Sequence, residues 1–502
     1  MYASNKSAGS FRNGLSAAAA SSDEAQRAAM RLSPVRRRLV AVYLFGIAIA
    51  SAIGSGFDTR ASGRNQIVVG ESIRVTVNSE RPHVEPNIAI DPKNPMHLVA
   101  TSIAFTRPDN SFTCAVFMSF DGGRTWQPGD LSPLNDLKLD SAADPWIAFG
   151  PGGSVFFSCI ADNGRTASTL VFSSNDGGGT WSKPSVVPFG NGGSFDRASV
   201  AVDATNGKFS GRVYIVASQT IKTESGRRIS QPVVARSDDN GRTFTSPVGL
   251  FPTDLNSNVS NMVILSDGTL VLSFMDFMDS SYRMLKTRRL WVAISKNGGE
   301  TFSAPHFVAE FQVPDSKVAP FYSNCHMLAV DQSSANVNNR VYMVWNDSRS
   351  DATDVLISCS IDKGETWSKP IRINDNSNRS SRHSTPTVAV NQKGVVGVSW
   401  YDRRADPHNK CSEIYFCASL DGGLTFLPNV KISPTKFCPD VSSNTVRSSK
   451  ADSFGVAARW PAGGDYSGLA SGSDGLFHVL WADTHTGVYQ LWTASVNVRT
   501  TF

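Results

Sequence analysis

Six stretches of this chain repeat one hairpin pattern, Ser-x-Asp-x-Gly-x-Thr-Trp/Phe, starting at Ser119, Ser174, Ser237, Ser295, Ser360 and Ser419. The first reads Ser119-Phe120-Asp121-Gly122-Gly123-Arg124-Thr125-Trp126, and the fourth carries Asn297 where the others carry Asp. Successive starts lie 55 to 65 residues apart. A period of that size means one supersecondary unit repeated around or along an axis. The residue types suit a tight turn. Gly and Asn/Asp tolerate positive φ, Ser and Asp side chains hydrogen-bond nearby amides, and Thr-Trp/Phe opens a new strand. Each box therefore reads as strand, turn, strand, with a role in the fold and none in chemistry.

A second regularity precedes each box. Near-continuous apolar runs such as Asn87-Ile88-Ala89-Ile90, Ser199-Val200-Ala201-Val202 and Thr387-Val388-Ala389-Val390 suit inner strands buried on both faces. Second strands follow, as in Val213-Tyr214-Ile215-Val216 and Val341-Tyr342-Met343-Val344-Trp345. A third strand leads into the box and a fourth leaves it. Four strands per unit make a propeller blade. After the sixth box, residues 466–470, 476–481 and 488–496 supply three more strands and no box. The missing outer strand is expected from Ser72-Ile73-Arg74-Val75-Thr76-Val77, which would join the chain ends and remove the sheet edges. The expected fold is all-β: a seven-bladed β-propeller of four-stranded antiparallel blades, with residues 72–502 as a single domain.

The N-terminal part is different in kind. Arg36-Arg37-Arg38 precede an apolar run at residues 39–53, which contains the small-residue pattern Ala50-Ser51-Ala52. Basic, apolar, then small is the order of a secretory signal, and the run is shorter than a usual membrane span. Residues 1–29 read as a disordered leader or a misassigned start, 30–52 as the signal peptide and 53–71 as a linker. The expected location is secreted or periplasmic. An uncleaved anchor at residues 39–53 is the alternative; otherwise the mature protein has no membrane span. Residues 1–52 hold seven Lys/Arg and two acids, a net +5, and the whole chain is also +5. The rest is thus neutral, and the basic pI is no argument for a nucleic-acid partner. Of seven cysteines, Cys411 and Cys438 fall in loops of the sixth unit and form the best disulfide pair, whereas Cys159, Cys359 and Cys417 lie within strands. No EF-hand loop, phosphate-binding Gly loop, His-Glu-x-x-His or Gly-x-Ser-x-Gly is present. No cofactor and no metal are expected.

Boxes occupy one rim of a propeller, so function is expected at the other, around the channel mouth. Polar residues gather in the segments that reach it. Second strands end in Trp345-Asn346-Asp347-Ser348-Arg349, Trp400-Tyr401-Asp402-Arg403-Arg404 and Trp481-Ala482-Asp483. Inner strands are preceded by Glu85, Asp144, Asp196-Arg197, His326, Arg382-His383 and Asp465-Tyr466. The repeated Trp-x-Asp endings also fit strand caps that bridge neighbouring blades. Glu85, Arg197, Arg382 and Tyr466 vary from blade to blade, which speaks against a repeated structural role.

The repeat resembles the Asp-box, or bacterial neuraminidase repeat, of the sialidase-like propellers, over roughly residues 86–496. The likeness is nearer to exported Asp-box proteins of unassigned activity than to proven sialidases. Sialidases usually have six blades, so a six-bladed propeller is the alternative fold. In that family a Tyr replaces the usual carboxylate nucleophile. A Glu acts as its base, an Asp supplies the acid, and three Arg clamp the sugar carboxylate. Asp465-Tyr466-Ser467-Gly468-Leu469 stands where that Tyr opens the last blade. The resemblance implies Tyr466 as nucleophile, Glu85 or Asp465 as its partner, and Asp144 or Asp402 as the acid. Arg197, Arg382 and Arg403 become the clamp, with Asp347 and Arg349 in the same substrate-binding mouth. The chain departs from the family at Val84-Glu85-Pro86, where Arg-Ile-Pro is usual, and at Ser260-Asn261-Met262, where a Glu is usual.

Three functions remain open at this point. One is an exported sialidase-like glycoside hydrolase acting on an acidic glycan. The second is a non-catalytic propeller that binds a glycan or a protein at the same mouth. The third is a polysaccharide lyase using Tyr466 with His326 or His383. The expected partner is a glycan or glycoconjugate, and the sequence does not set the oligomeric state.

Overall fold

The structure is a computed structural model. It describes residues 66–500 except 106–111, 189–192, 223–225, 251–255, 280, 282, 314–325, 334–338, 350–351, 379 and 440–462. The leader and signal readings at residues 1–52 lie outside the described residues.

Seven antiparallel sheets follow one another along the chain. Blade 1 runs from inner to outer strand as His83–Asp91, Asn94–Phe105, Phe112–Ser119 and Gln127–Pro128. Blades 2 to 6 repeat that order from inner strands Ser141–Phe149, Ser194–Val202, Asn256–Ile264, Met327–Val330 and His383–Val390. Blade 7 comprises Gly468–Ser471, Phe477–Asp483 and Gln490–Val498, and its outer strand comes from the other end of the chain. That closing strand is Ile67–Val69, paired Ile67 to Val498 and Val69 to Val496. Helix is confined to one turn, Ser132–Asn135, among the described residues.

The closing ladder begins earlier than the sequence indicates. Of residues 72–77, Ile73–Arg74 pair with blade 7 and the Val75 N–H donates to the Leu491 carbonyl (2.9 Å), while Ile67–Val69 lie in the stretch read as linker. Packing explains the shift. Ile67 is buried in the core between blades 6 and 7, whereas Val75 is taken up by the core between blades 7 and 1.

Apolar burial, worth about 25 cal/mol per Å² removed from water, is organised by blade boundary. Leu98, Ala100 and Phe117 of blade 1 pack against Leu480, Ala482 and Leu491 of blade 7. Phe416 of blade 6 packs against Phe477 and Val496 of blade 7. Among the described residues seven such clusters occur, one for each boundary, so every blade has a neighbour on both faces. This explains the near-continuous apolar runs of the inner strands.

At the opposite rim the boxes form a repeated hydrogen-bond cage. In the first, Ser119 Oγ donates to Asp121 Oδ1 (2.8 Å) and accepts the Gly123 N–H (2.9 Å). Asp121 also accepts the Thr125 N–H (2.9 Å) and the Thr125 hydroxyl (2.6 Å). Gly123 sits at φ +83°, where a Cβ is strained, and the indole of Trp126 donates to its carbonyl. Asn297 preserves the cage in the fourth box by a changed polarity: its amide donates to Thr301 Oγ1 (2.9 Å), where the Asp boxes accept. A disulfide joins Cys411 and Cys438.

Asp121→Ala removes several hydrogen bonds from one hairpin and should cost about 1–3 kcal/mol. Asp121→Asn should cost less, because Asn297 shows that an amide satisfies the same turn. Thermal denaturation of the two variants beside the unsubstituted protein measures both; equal melting points for the two variants would refute the cage as the source of stability.

Candidate functional site

At the channel mouth, the inner strands of blades 1, 2, 3 and 6 break their ladders at a common point. Pairing stops at Val84, Ala143, Asp196 and Ser384 and resumes at Asn87, Trp146, Ser199 and Thr387. The first unpaired residue of each bulge adopts positive φ: Glu85 at 56°, Asp144 at 51°, Arg197 at 55° and Thr385 at 53°. Outside glycine such conformations cost about 1–3 kcal/mol each, and they cluster at functional sites. Asp144, Arg197 and Thr385 lie five positions before the last ladder residue of their strands (Phe149, Val202, Val390), and Glu85 lies five before Ile90, the last residue of its ladder ahead of a register shift at Asp91. The same count from Ser471 in blade 7 reaches Tyr466. One backbone position thus delivers two carboxylates, a guanidinium, a hydroxyl and a phenol from five blades.

Arg197 is the hub. Its Nη2 donates to Asp465 Oδ2 (2.8 Å), with both side chains buried. Its backbone N–H donates to Asp144 Oδ2 (2.9 Å), and its guanidinium lies 6.0 Å from the centre of the Tyr466 ring. The Asp465 N–H donates to Glu85 Oε1 (3.1 Å). Glu85 N–H in turn donates to the Gly463 carbonyl (2.9 Å), which docks the blade 7 loop on blade 1. Gly464 follows at φ +101°, and a Cβ there would stand 2.1 Å from Glu85 Cγ, so only glycine fits. Tyr466 is buried, with the indole of Trp146 edge-on at 5.5 Å. Trp146 packs on the blade 2–3 core and on the blade 5–6 core, so it spans the channel.

The electrostatics separate the carboxyls. Asp144 is raised to about 7, first by burial and then by the charge of Asp196, against the opposing pull of Arg197. Although part of its surface faces the mouth, the surrounding protein desolvates it. Burial and the charge of Arg197 bring buried Arg288 down to about 10 and buried His326 down to about 3, so His326 is neutral at pH 7. The sequence reading did not include Thr385 or Arg288; the five-residue count would have found Thr385.

A cleft of about 1020 Å³ opens beside this cluster. Glu85, Asp144 and Asp196 line it, with Arg165, Lys222 and Arg228 from the hairpins of blades 2 and 3. Tyr466, Asp465 and Arg197 do not line it, nor do Asp347, Arg349, Arg382, Asp402 and Arg403. Asp402 accepts from the Trp400 indole (2.8 Å) and from Arg404 (2.9 Å), and sits 3.2 Å from His383. Burial alone would raise Asp402, but His383 and Arg404 outweigh it and hold the carboxyl well below the usual range. Asp347 is held by Arg349 (2.8 Å), and Asp483 by the Trp481 indole (2.7 Å). Arg403 donates to the Asn409 carbonyl (2.6 Å), while the Arg382 N–H donates to the Asn409 side chain (2.9 Å).

Residues 169–479 match the family described as BNR repeat-like domain. No curated protein matches the sequence significantly. Among solved structures, a Hadza microbial sialidase is 16% identical, with 80% of this chain and 74% of that one covered and a TM-score of 0.45. A protein of unknown function from Dyadobacter fermentans is 13% identical, covering 86% and 100%, with a TM-score of 0.46. An α-L-arabinofuranosidase of Fusarium graminearum is 11% identical, covering 67% and 93%, with a TM-score of 0.44. The family match spans more than half of the chain, and together with six boxes on a seven-bladed ring it makes this protein a member of the BNR repeat-like, sialidase-like propeller family.

Proposed function

We propose that the protein is an exported glycoside hydrolase of the sialidase type, acting on an acidic glycan in the cleft over blades 1 to 3. The observation that carries this reading is Asp144. A carboxyl at about 7 on the wall of a cleft is protonated in part at neutral pH and can give its proton to a glycosidic oxygen. Asp402 is a poor acid by the same reasoning, since it is held ionised. The cleft is of the size of small-molecule sites, about 300–1,000 Å³. Its cationic wall favours an anionic sugar.

Two groups compete for the attack on the anomeric carbon. In the sialidase-type route the Tyr466 phenol attacks and a carboxylate, Glu85 or Asp465, takes its proton. In a carboxylate-pair route Glu85 attacks directly. The second route is favoured by one observation: both side chains are buried, but Glu85 lines the cleft and Tyr466 does not. Arg197 supports either one. Tied to Asp465 and Asp144, it holds both carboxyls in place and compensates charge that develops beside them.

Hydrolysis of methylumbelliferyl sialosides and uronides tests the proposal. Asp144→Asn should lower kcat/KM about 10²–10⁴-fold. The acid must be protonated to act, so activity should fall as pH rises through about 7, and that alkaline limb should vanish in Asp144→Asn. Unchanged hydrolysis in this variant removes Asp144 as the acid. Glycan binding without any hydrolysis by the unsubstituted protein would make it a binding propeller.

Tyr466→Phe and Glu85→Gln separate the two routes. Both should abolish turnover if the phenol attacks with Glu85 as its base; only Glu85→Gln should do so if the carboxylate attacks.

Export rests on the signal-like segment at residues 30–52 and is consistent with a disulfide, since such bonds persist in oxidising compartments. N-terminal sequencing of the secreted protein should find a start shortly after Ala52; an intact residue 30–52 segment would point to an anchor instead.

A further inference from the structure

The cleft has a cationic wall that the bond-breaking step does not use. Lys222 and Arg228 stand directly opposite each other near the tip of the blade 3 hairpin formed by Val213–Lys222 and Arg228–Ser237. Arg165 projects from the turn of blade 2 between Val155–Asp162 and Ala167–Ser174. All three are exposed and line the cleft that Glu85 and Asp144 also line. Among the described residues, no carboxylate lies within ion-pair reach of any of them. Asp162 and Asp196 share the cleft, and Asp162 is engaged by the Gly164 N–H (2.7 Å).

This arrangement is unfavourable in the protein by itself. Like charges directly opposite on paired strands repel, and three basic residues at the box rim are treated differently. Arg212 is paired with Asp238, Lys296 with Glu365 and Lys363 with Asp267. An oxyanion between Lys222 and Arg228 would turn the repulsion into two charge-assisted hydrogen bonds, with Arg165 facing it from the neighbouring blade.

We propose that Arg165, Lys222 and Arg228 form an anion subsite for a sulfate or carboxylate on a sugar next to the one cleaved, so that the substrate is a polyanionic glycan charged along its length. The position of the cleaved bond rests on the glycosidase reading; binding at the subsite does not.

Calorimetric titration separates the two ideas. The full chain carrying Asp144→Asn is titrated with a chondroitin sulfate tetrasaccharide, a tetragalacturonate and neutral cellotetraose, and the titrations are repeated after Lys222→Ala plus Arg228→Ala. The anionic ligands should bind at least about tenfold more tightly than the neutral one, and the double substitution should weaken them about tenfold. Cellotetraose binding should not change, and the contrast should shrink at about 0.5 M salt. The tighter of the two anionic ligands tells sulfate from carboxylate. Equal binding of all three, no binding of either anionic ligand, or unchanged anionic affinity in the double variant overturns the subsite. If hydrolysis is found but the contrast is absent, only the subsite falls. If the contrast is found but the unsubstituted protein hydrolyses nothing, only the glycosidase reading falls.

Discussion

Closure of the ring by a strand from the N-terminal side is the constraint on which the rest depends. Ile67–Val69 completes blade 7, and Ile67 enters the core that joins blades 6 and 7. With both ends tied, each blade is sandwiched between two others and no inner face is left in water. Closure also builds the mouth. Asp465 meets Glu85 across 380 positions of sequence and Arg197 across 268. An open sheet stack would keep all seven hairpins and lose that meeting.

The charge balance of the cluster follows from its geometry. Glu85, Asp144 and Asp465 converge around Arg197: its guanidinium donates to Asp465, its backbone N–H donates to Asp144, and the Asp465 N–H carries the link on to Glu85. Burying several carboxylates together is costly unless charge is matched or a proton is retained. Here Asp144 keeps its proton up to about pH 7, raised first by burial and then by Asp196, with Arg197 offsetting this only in part. The bulges carry a related cost in the backbone. Four positive-φ residues on four inner strands are held only because the surrounding blades over-determine them.

Regularity distinguishes scaffold from site. Ser, Asp and Thr recur in every box but one, and their side chains are consumed by their own turns. Trp400 with Asp402 and Trp481 with Asp483 make the same indole-to-carboxylate cap in two blades. At the bulge position, by contrast, the backbone repeats and the side chain changes from Glu to Asp, Arg and Thr, with Tyr466 at the corresponding count in blade 7. A conserved backbone feature that presents a different group from each blade is how a symmetric scaffold acquires an asymmetric pocket.

Much of this was readable without coordinates. The box period, the apolar inner strands and the three boxless strands after Ser419 lead to seven blades, because turn chemistry and strand burial are local properties. Glu85, Arg197, Arg382 and Tyr466 stand out as irregular polar residues ahead of regular strands, Asp144 as another polar residue at the same place, and Cys411 and Cys438 as a pair. Which polar residues meet is a different matter. Asp402 and Asp144 look alike in sequence, yet one is held ionised by His383 and Arg404 while the other is raised by burial and Asp196. Arg288 gives no local sign of lying near Arg197. Sequence alone determined the repeat, the strand order and the candidate groups, since these depend on neighbours along the chain. Tertiary structure decided the closing register, the hub at Arg197 and the protonation of Asp144, since Coulomb energy and desolvation depend on distances across the ring.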